Sequence, residues 1–217
     1  MKQISTAIRD GLGVGFAVGL SGVAFGAAAV TSGLNVAQAC VLSLLAFTGA
    51  SQFALIGAVA GGGDLLAASA GALLLGGRNT LYGLRMADML KVSGPKRLVV
   101  AQGVIDETTA VAMAQPDPES ARQGFTTTFV TLYFMWNLTT LAGAVGTEFL
   151  GDPAAFGLDA VGPAAFLAIL WPRLAESPEL RWLALGAVAI ALATTPLLPA
   201  GVPVLLSAVA VLVVMMR

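Results

Sequence analysis

The sequence predicts an all-α polytopic membrane protein with about seven or eight membrane segments, some short or broken. Three observations carry that expectation. From Gly11 to Gly63, 53 consecutive residues pass without an Asp, Glu, Lys or Arg. Two further charge-free runs follow, Gln123–Thr147 and Trp182–Met216. Hydrophobic residues make up 57% of the chain, against roughly 45–50% in soluble domains. Charged residues make up 11%, where about 25% is usual. A soluble helix needs a solvated face, and about 20 apolar residues cross a bilayer's hydrocarbon core, so the first run alone is long enough to cross twice.

Breaks at Gly, Pro, Asn and charge clusters divide the chain into eight segments. Gly11–Val30 carries Gly11, Gly15, Gly19, Gly22 and Gly26, a repeated small-xxx-small face. Such a face suits close helix packing or a path lined by bare backbone. Lys2 and Arg9 ahead of this run, with Ala27–Ala29 near its end, imitate a signal peptide. An h-region is 7–15 apolar residues, however, and this run continues into the next, so it reads as a first anchor. Val36–Ala60, Leu65–Leu90 and Ala121–Leu150 are long enough to span with tilt. Arg97–Ala114, Pro163–Leu174 and Val202–Met216 are shorter, and Arg181–Leu197 completes the set. Short or polar spans are expected where helices break around a cavity.

Gly57-Ala58-Val59 recurs as Gly143-Ala144-Val145, an offset of 86 that also carries Gly11 to Arg97 and Ser51 to Asn137. Segments one to three then repeat as four to six. An odd number of crossings inverts the second copy, the architecture of many secondary transporters. The expected organisation is one transmembrane domain over 1–217. Repeat 1 covers about 11–90, repeat 2 about 97–174, and a C-terminal helical hairpin about 181–217. With the N-terminus inside, the positive-inside rule places Arg122, Arg173, Arg181 and Arg217 in the cytoplasm, while Lys91, Lys96 and Arg97 dissent.

The chain has no histidine and one cysteine, Cys40. Haem and zinc sites usually need imidazole or several thiolates, so no cofactor and no metal are expected. Net charge −1 lacks the basic footprint of a nucleic-acid partner. No Ser–Lys pair at motif spacing is present, and an enzyme is not expected.

A charge at membrane depth costs at least about 2.5–3.5 kcal/mol on insertion scales and is a functional candidate by default. Arg78-Asn79 in the third segment and Asp106-Glu107 in the fourth are the strongest. Arg78 lies twelve residues before Leu90, about 18 Å along a helix and too far to snorkel easily. An Arg78–Asp106 or Arg78–Glu107 pair could simply hold two segments together. It could equally offer a cation and an anion to a substrate. Thr48-Gly49-Ala50-Ser51-Gln52-Phe53 is the polar cluster of the uncharged run. A break at its glycine would free backbone groups for a ligand, and Trp136-Asn137 is its repeat-related counterpart. Asp159 reads as a cap for the sixth segment, with Pro163 just inside its start.

Gly22–Gly26 (GVAFG), Phe47–Phe53 (FTGASQF), Arg78–Tyr82 (RNTLY), Ile105–Thr108 (IDET), Trp136 and Phe156–Leu174 (FGLDAVGPAAFLAILWPRL) together resemble the AzlC family. The likeness runs from about Gly11 to Leu174. Members of that family are the large subunit of a two-component AzlC/AzlD exporter of branched-chain amino acids. The resemblance therefore implies a small AzlD-like membrane subunit as partner. It also implies a bacterial cytoplasmic (inner) membrane location and efflux of valine, leucine or isoleucine. The chain departs from the family at Gly77-Arg78-Asn79, where an Asn usually precedes the Arg. The Arg carries over, and the hydrogen bond of the missing amide would pass to Asn79.

The expected function is thus an inner-membrane secondary transporter subunit exporting small neutral, branched-chain amino acids. The substrate-binding residues would be Ser51, Gln52, Phe53, Arg78, Asn79, Asp106, Glu107, Trp136 and Asn137. The carboxylate would meet Arg78 and the ammonium Asp106 or Glu107. The aliphatic side chain would lie near Phe25, Phe53 and Trp136. The acidic pair is the candidate for proton coupling. The alternatives are a channel-like pore lined by the glycine face, or a membrane assembly subunit for another small solute.

Overall fold

The computed structural model describes residues 5–150, 174–198, 202–207 and 209–211, with 155, 164, 167, 170 and 171 between them. Every regular element among the described residues is helical. In chain order these are α1 (Thr6–Gly19), α2 (Gly22–Thr31), α3 (Val36–Leu45), α4 (Ala50–Ala60) and α5 (Leu65–Leu90). They continue as α6 (Lys96–Gln102), α7 (Asp106–Met113), α8 (Pro118–Phe149), α9 (Pro178–Thr194) and α10 (Val202–Ser207). Most of the expected sixth segment, its cap Asp159 and most of Phe156–Leu174 lie outside the described residues.

Local chemistry sets the helix starts. Ser5 caps α1 by accepting from the Ile8 N–H at 3.4 Å. Asn35 and Gln38 exchange reciprocal bonds of 2.8 and 2.9 Å at the start of α3, a full capping box. Asp64 accepts from the Leu66 and Ala67 N–H groups, both at 3.0 Å, to open α5. Asp117 opens α8 in the same way, with Pro118 in the first turn where its missing N–H costs nothing.

Three of the expected segments are interrupted. α1 and α2 unwind for one step at Leu20-Ser21, yet Thr6–Thr31 together is long and apolar enough to cross a membrane. The second segment parts at 46–49 into α3 and α4, and the fourth parts at 103–105 into α6 and α7. α3 and α4 are ten and eleven residues long, about 15 Å each, half the thickness of a hydrocarbon core.

α8 is the axis of the molecule. It is 32 residues long and, like Thr6–Thr31, apolar enough to cross a membrane. α1, α2, α3, α5 and α7 all pack on it. The glycine face does so by close approach: a Cβ on Gly11 would lie 3.0 Å from Thr127 Cβ, and one on Gly15 2.7 Å from Thr131 Cβ. At Gly26 it would overlap the Thr140 carbonyl oxygen. The glycines are therefore packing surface, and the path of bare backbone that the sequence also allowed is closed by α8.

Two apolar clusters flank this axis. One gathers Phe25, Phe47, Phe53, Ile56, Ile105 and Trp136, and the other Met86, Leu90, Val104 and Phe125. Phe129 touches both. α9 and α10 pack on each other.

Candidate functional site

The helix breaks at 46–49 and 103–105 meet against the middle of α8. At the first, Gly49 adopts φ +56, a backbone conformation that favours glycine. Its N–H donates to Gln52 Oε1 at 3.2 Å, while Gln52 Nε2 donates to the Leu42 carbonyl at 3.1 Å. Ending α3 early leaves carbonyls without helical partners, and distant side chains take them. Gln102, the last residue of α6, donates to the Leu44 and Leu45 carbonyls at 3.1 and 3.0 Å. The Tyr133 hydroxyl on α8 donates to Leu44 at 3.1 Å. At the second break Thr108 Oγ1 donates to the Gly103 carbonyl at 2.6 Å and accepts from the Ile105 N–H at 3.1 Å. The bond from the Ile105 N–H fixes Asp106 as the first residue of α7.

The position matters for charge. The positive end of a helix dipole favours a carboxylate in its first turn, and both Asp106 and Glu107 are there. Arg78 reaches across from the middle of α5 and pairs with Asp106, Nη2 to Oδ2, at 2.8 Å. Their side chains are 33% and 28% exposed, so the pair is neither sealed nor solvated. Asp106 Oδ1 is buried and has no hydrogen-bond partner. Thr109 Oγ1, one turn on, is in the same state.

Thr48 Oγ1, Trp136 Nε1 and Asn137 Oδ1 are likewise buried and unpaired. Thr48 sits between Phe47, whose ring packs 4.9 Å from that of Tyr133, and Gly49, which faces Trp136. Native structures pair more than nine in ten buried polar groups. Here several orphans gather at the interrupted helices and the mid-α8 face that they meet. Beside the first break lies a cavity of about 650 Å³, lined by Leu42, Leu45, Thr48, Ser51, Leu55 and, across it on α5, Leu73.

The residues singled out from the sequence divide among several environments. Arg78 and Asp106 are brought together, and Glu107 follows in the same turn. Ser51 lines the cavity, with its hydroxyl facing Gly76 on α5. Gln52 is committed to backbone at both ends of its amide. Phe53 and Trp136 pack with Phe25 into one aromatic group, with ring centroids 5.5 to 6.5 Å apart. All three are buried, so they form a wall behind the site. Asn137 Nδ2 donates to the Tyr133 carbonyl at 2.8 Å. Asn79 faces a separate cavity of about 480 Å³ between α5 and α6. Thr109 enters as a site group from the structure, and Thr48, part of the polar cluster seen in the sequence, joins it through its unpaired hydroxyl. The only sequence signal for Thr109 is a threonine close after a helix break.

The chain matches the family model described as AzlC protein over residues 13–150. It is 27% identical over 151 residues to the branched-chain amino acid transport protein AzlC of Bacillus subtilis (strain 168). That alignment covers 68% of this chain and 59% of the relative, so the matched part is well short of the relative's full length. No solved structure matches. The family-model match covers more than half of the chain, and the chain belongs to the AzlC family.

Proposed function

We propose that this chain is the large, multi-pass inner-membrane subunit of a secondary transporter that exports small neutral amino acids of the branched-chain class. The observation that carries the reading is the Arg78–Asp106 pair, half-buried between the middle of α5 and the start of α7 with a second carboxylate oxygen left unpaired. A zwitterion matches it charge for charge. The substrate carboxylate takes the guanidinium while Asp106 takes the ammonium, so neither buried charge is left uncompensated during exchange. Leucines around the 650 Å³ cavity suit an aliphatic side chain. The name of the Bacillus subtilis relative agrees with that substrate class.

Partner and organisation follow the same reading. Leu66, Leu74 and Leu81 form an exposed line along α5, with Ala70 and Gly77 as hollows between them. A small AzlD-like subunit would lay a helix there. Residues 11–90 and 97–174 would be inverted repeats, each opening with an interrupted helix. The offset of 86 carries the α3–α4 break onto 132–135, which α8 crosses unbroken, so the second spans of the two halves differ.

Counterflow of labelled leucine in proteoliposomes tests the proposal. Arg78→Gln and Asp106→Asn should each lower exchange more than tenfold while the protein still assembles. Leaving one charge without its partner should also cost about 2–3 kcal/mol of stability. If protons are coupled through the acidic pair, Asp106→Asn with Glu107→Gln should flatten the pH dependence of any remaining transport. Assembled variants that exchange at the unaltered rate would make the pair a structural clamp and the chain an assembly subunit.

A further inference from the structure

The second cavity, on the α6 side of α5, takes no part in the proposed transport site. It runs along α5 from Asn79 to Leu90 and is closed from the other side by Val100 and Val104. Eleven helical steps make a groove about 16 Å long, half of a hydrocarbon core of about 30 Å. Its depth is therefore that of one leaflet. Its walls are chiefly apolar, with Leu84, Met86, Leu90, Val100 and Val104 among them.

The end of the groove near Leu90 is strongly basic. Arg85, Lys91, Lys96 and Arg97 against Asp88 give residues 85–97 a net charge of +3. Arg97 lines the groove itself. Its Nε donates to the Val92 carbonyl at 2.8 Å. From α8, Arg122 Nε donates to the Met89 carbonyl at 3.3 Å. Both guanidinium groups are thus anchored through Nε beside the end of α5, where the helix dipole is negative. Among the described residues no carboxylate lies within 4.0 Å of Lys91, Lys96, Arg97 or Arg122. Four cations without a carboxylate partner among the described residues thus stand at the Leu90 end of an apolar groove as long as one leaflet is thick.

We propose that this groove binds an anionic phospholipid, with one acyl chain along α5 and the phosphate among Lys91, Lys96, Arg97 and Arg122. Basic pockets between membrane helices bind acidic headgroups by this combination of charge and apolar depth. The site is independent of the Arg78–Asp106 pair, so its test does not depend on the transport proposal.

The full chain, purified in neutral detergent and stripped of lipid, would be melted with phosphatidylglycerol, with phosphatidylcholine of the same acyl chains, or with inorganic phosphate. Phosphatidylglycerol should raise Tm by several degrees and remain bound in native mass spectrometry, and the other two should not. Lys91→Gln with Lys96→Gln should abolish most of that increment without altering the lipid-free Tm, since among the described residues neither side chain makes a hydrogen bond or ion pair to protein. Gly83→Phe should abolish it by filling the groove, where a Cβ meets nothing within 4 Å. Equal protection by phosphatidylcholine, equal protection by phosphate, or an increment that survives both variants would overturn the proposal. So would a groove that crosslinks from Ala101→Cys to another polypeptide while no lipid is retained.

Discussion

The faces that α1–α2 and α5 turn to the rest of the molecule are built on opposite principles. α1–α2 meets α8 through glycines, and the hydroxyls nearby are satisfied by carbonyls of the two packed elements. Thr139 Oγ1 donates to the Gly19 carbonyl across the seam at 2.6 Å. Thr128 and Thr147 return to carbonyls four residues back, at 2.7 and 2.8 Å. α5 instead has a cavity on either side, leucines open to its surroundings and an arginine at its centre whose partner is on α7. Close packing without voids cannot rearrange cheaply. The contrast therefore separates a fixed seam from the helix beside which something can bind and move.

The sharpest way to break that contrast is to add a single methyl to each side. At Gly26 a Cβ would overlap the Thr140 carbonyl, and at Gly143 the Val23 carbonyl. Both obstacles are backbone, so a side chain cannot simply turn aside. Gly26→Ala or Gly143→Ala should cost about 3 kcal/mol, the upper end for overpacking, and the protein should fail to accumulate in the membrane. Gly13 on α1 and Gly83 on α5 meet nothing within 4 Å. Gly13→Ala and Gly83→Ala should accumulate normally, as quantitative blotting of membrane fractions would show. Equal or raised accumulation at all four positions would mean that helix propensity, which favours Ala over Gly, and not the seam, decides.

How much of this was legible in the sequence follows the range of the interactions. α5 was bounded correctly at Leu65 and Leu90, because its Asp64 cap and the following basic, Gly-Pro stretch are local signals. The glycine face was legible as a period, and the structure decided which of its two uses applies. The pairing of Arg78 was narrowed to Asp106 or Glu107. Choosing between them needs the phase of α7, which the bonds of the Thr108 hydroxyl to the Ile105 N–H and the Gly103 carbonyl set. The expected break at Gly49 is present, but its carbonyls are taken by Gln102 and Tyr133, 57 to 89 residues away, and no local pattern shows that. Arg78 and Asn79 could not both face one site, since neighbours on a helix do not share a face. Asn79 accordingly opens onto the other cavity.

A middle-sized effect tests whether Gln52 belongs to the seam or to the working side. Its amide is buried and bonds the backbone at both ends. Gln52→Leu would orphan the Gly49 N–H, whereas the Leu42 carbonyl keeps its bond from the Ala46 N–H at 2.9 Å. One unpaired buried donor costs about 1–3 kcal/mol. The expected result is a lower Tm with an unchanged KM for counterflow in the protein that remains. A KM raised tenfold at unchanged Tm would make Gln52 a substrate ligand.

The smallest effect should come at the entrance to α8, outside the apolar span. Asp117 is fully exposed, yet its carboxylate accepts from the Glu119 and Ser120 N–H groups at 3.0 Å and from Ser120 Oγ at 2.8 Å. The backbone bond from Ser120, followed by its hydroxyl, holds the Asp117 pKa below the usual carboxylate value. A depressed folded pKa means that the charge stabilises the fold above the unfolded pKa. That contribution is lost as pH falls through the folded value. Asp117→Asn keeps an acceptor for the cap and removes the titration. In detergent melts the unaltered protein should therefore exceed Asp117→Asn slightly at pH 7 and converge with it at strongly acid pH. A gap that is constant with pH would leave the cap's geometry as its whole contribution. A gap as large as that of Gly26→Ala would show that α8 depends on its exposed end as much as on its glycine seam, against the contrast drawn between them.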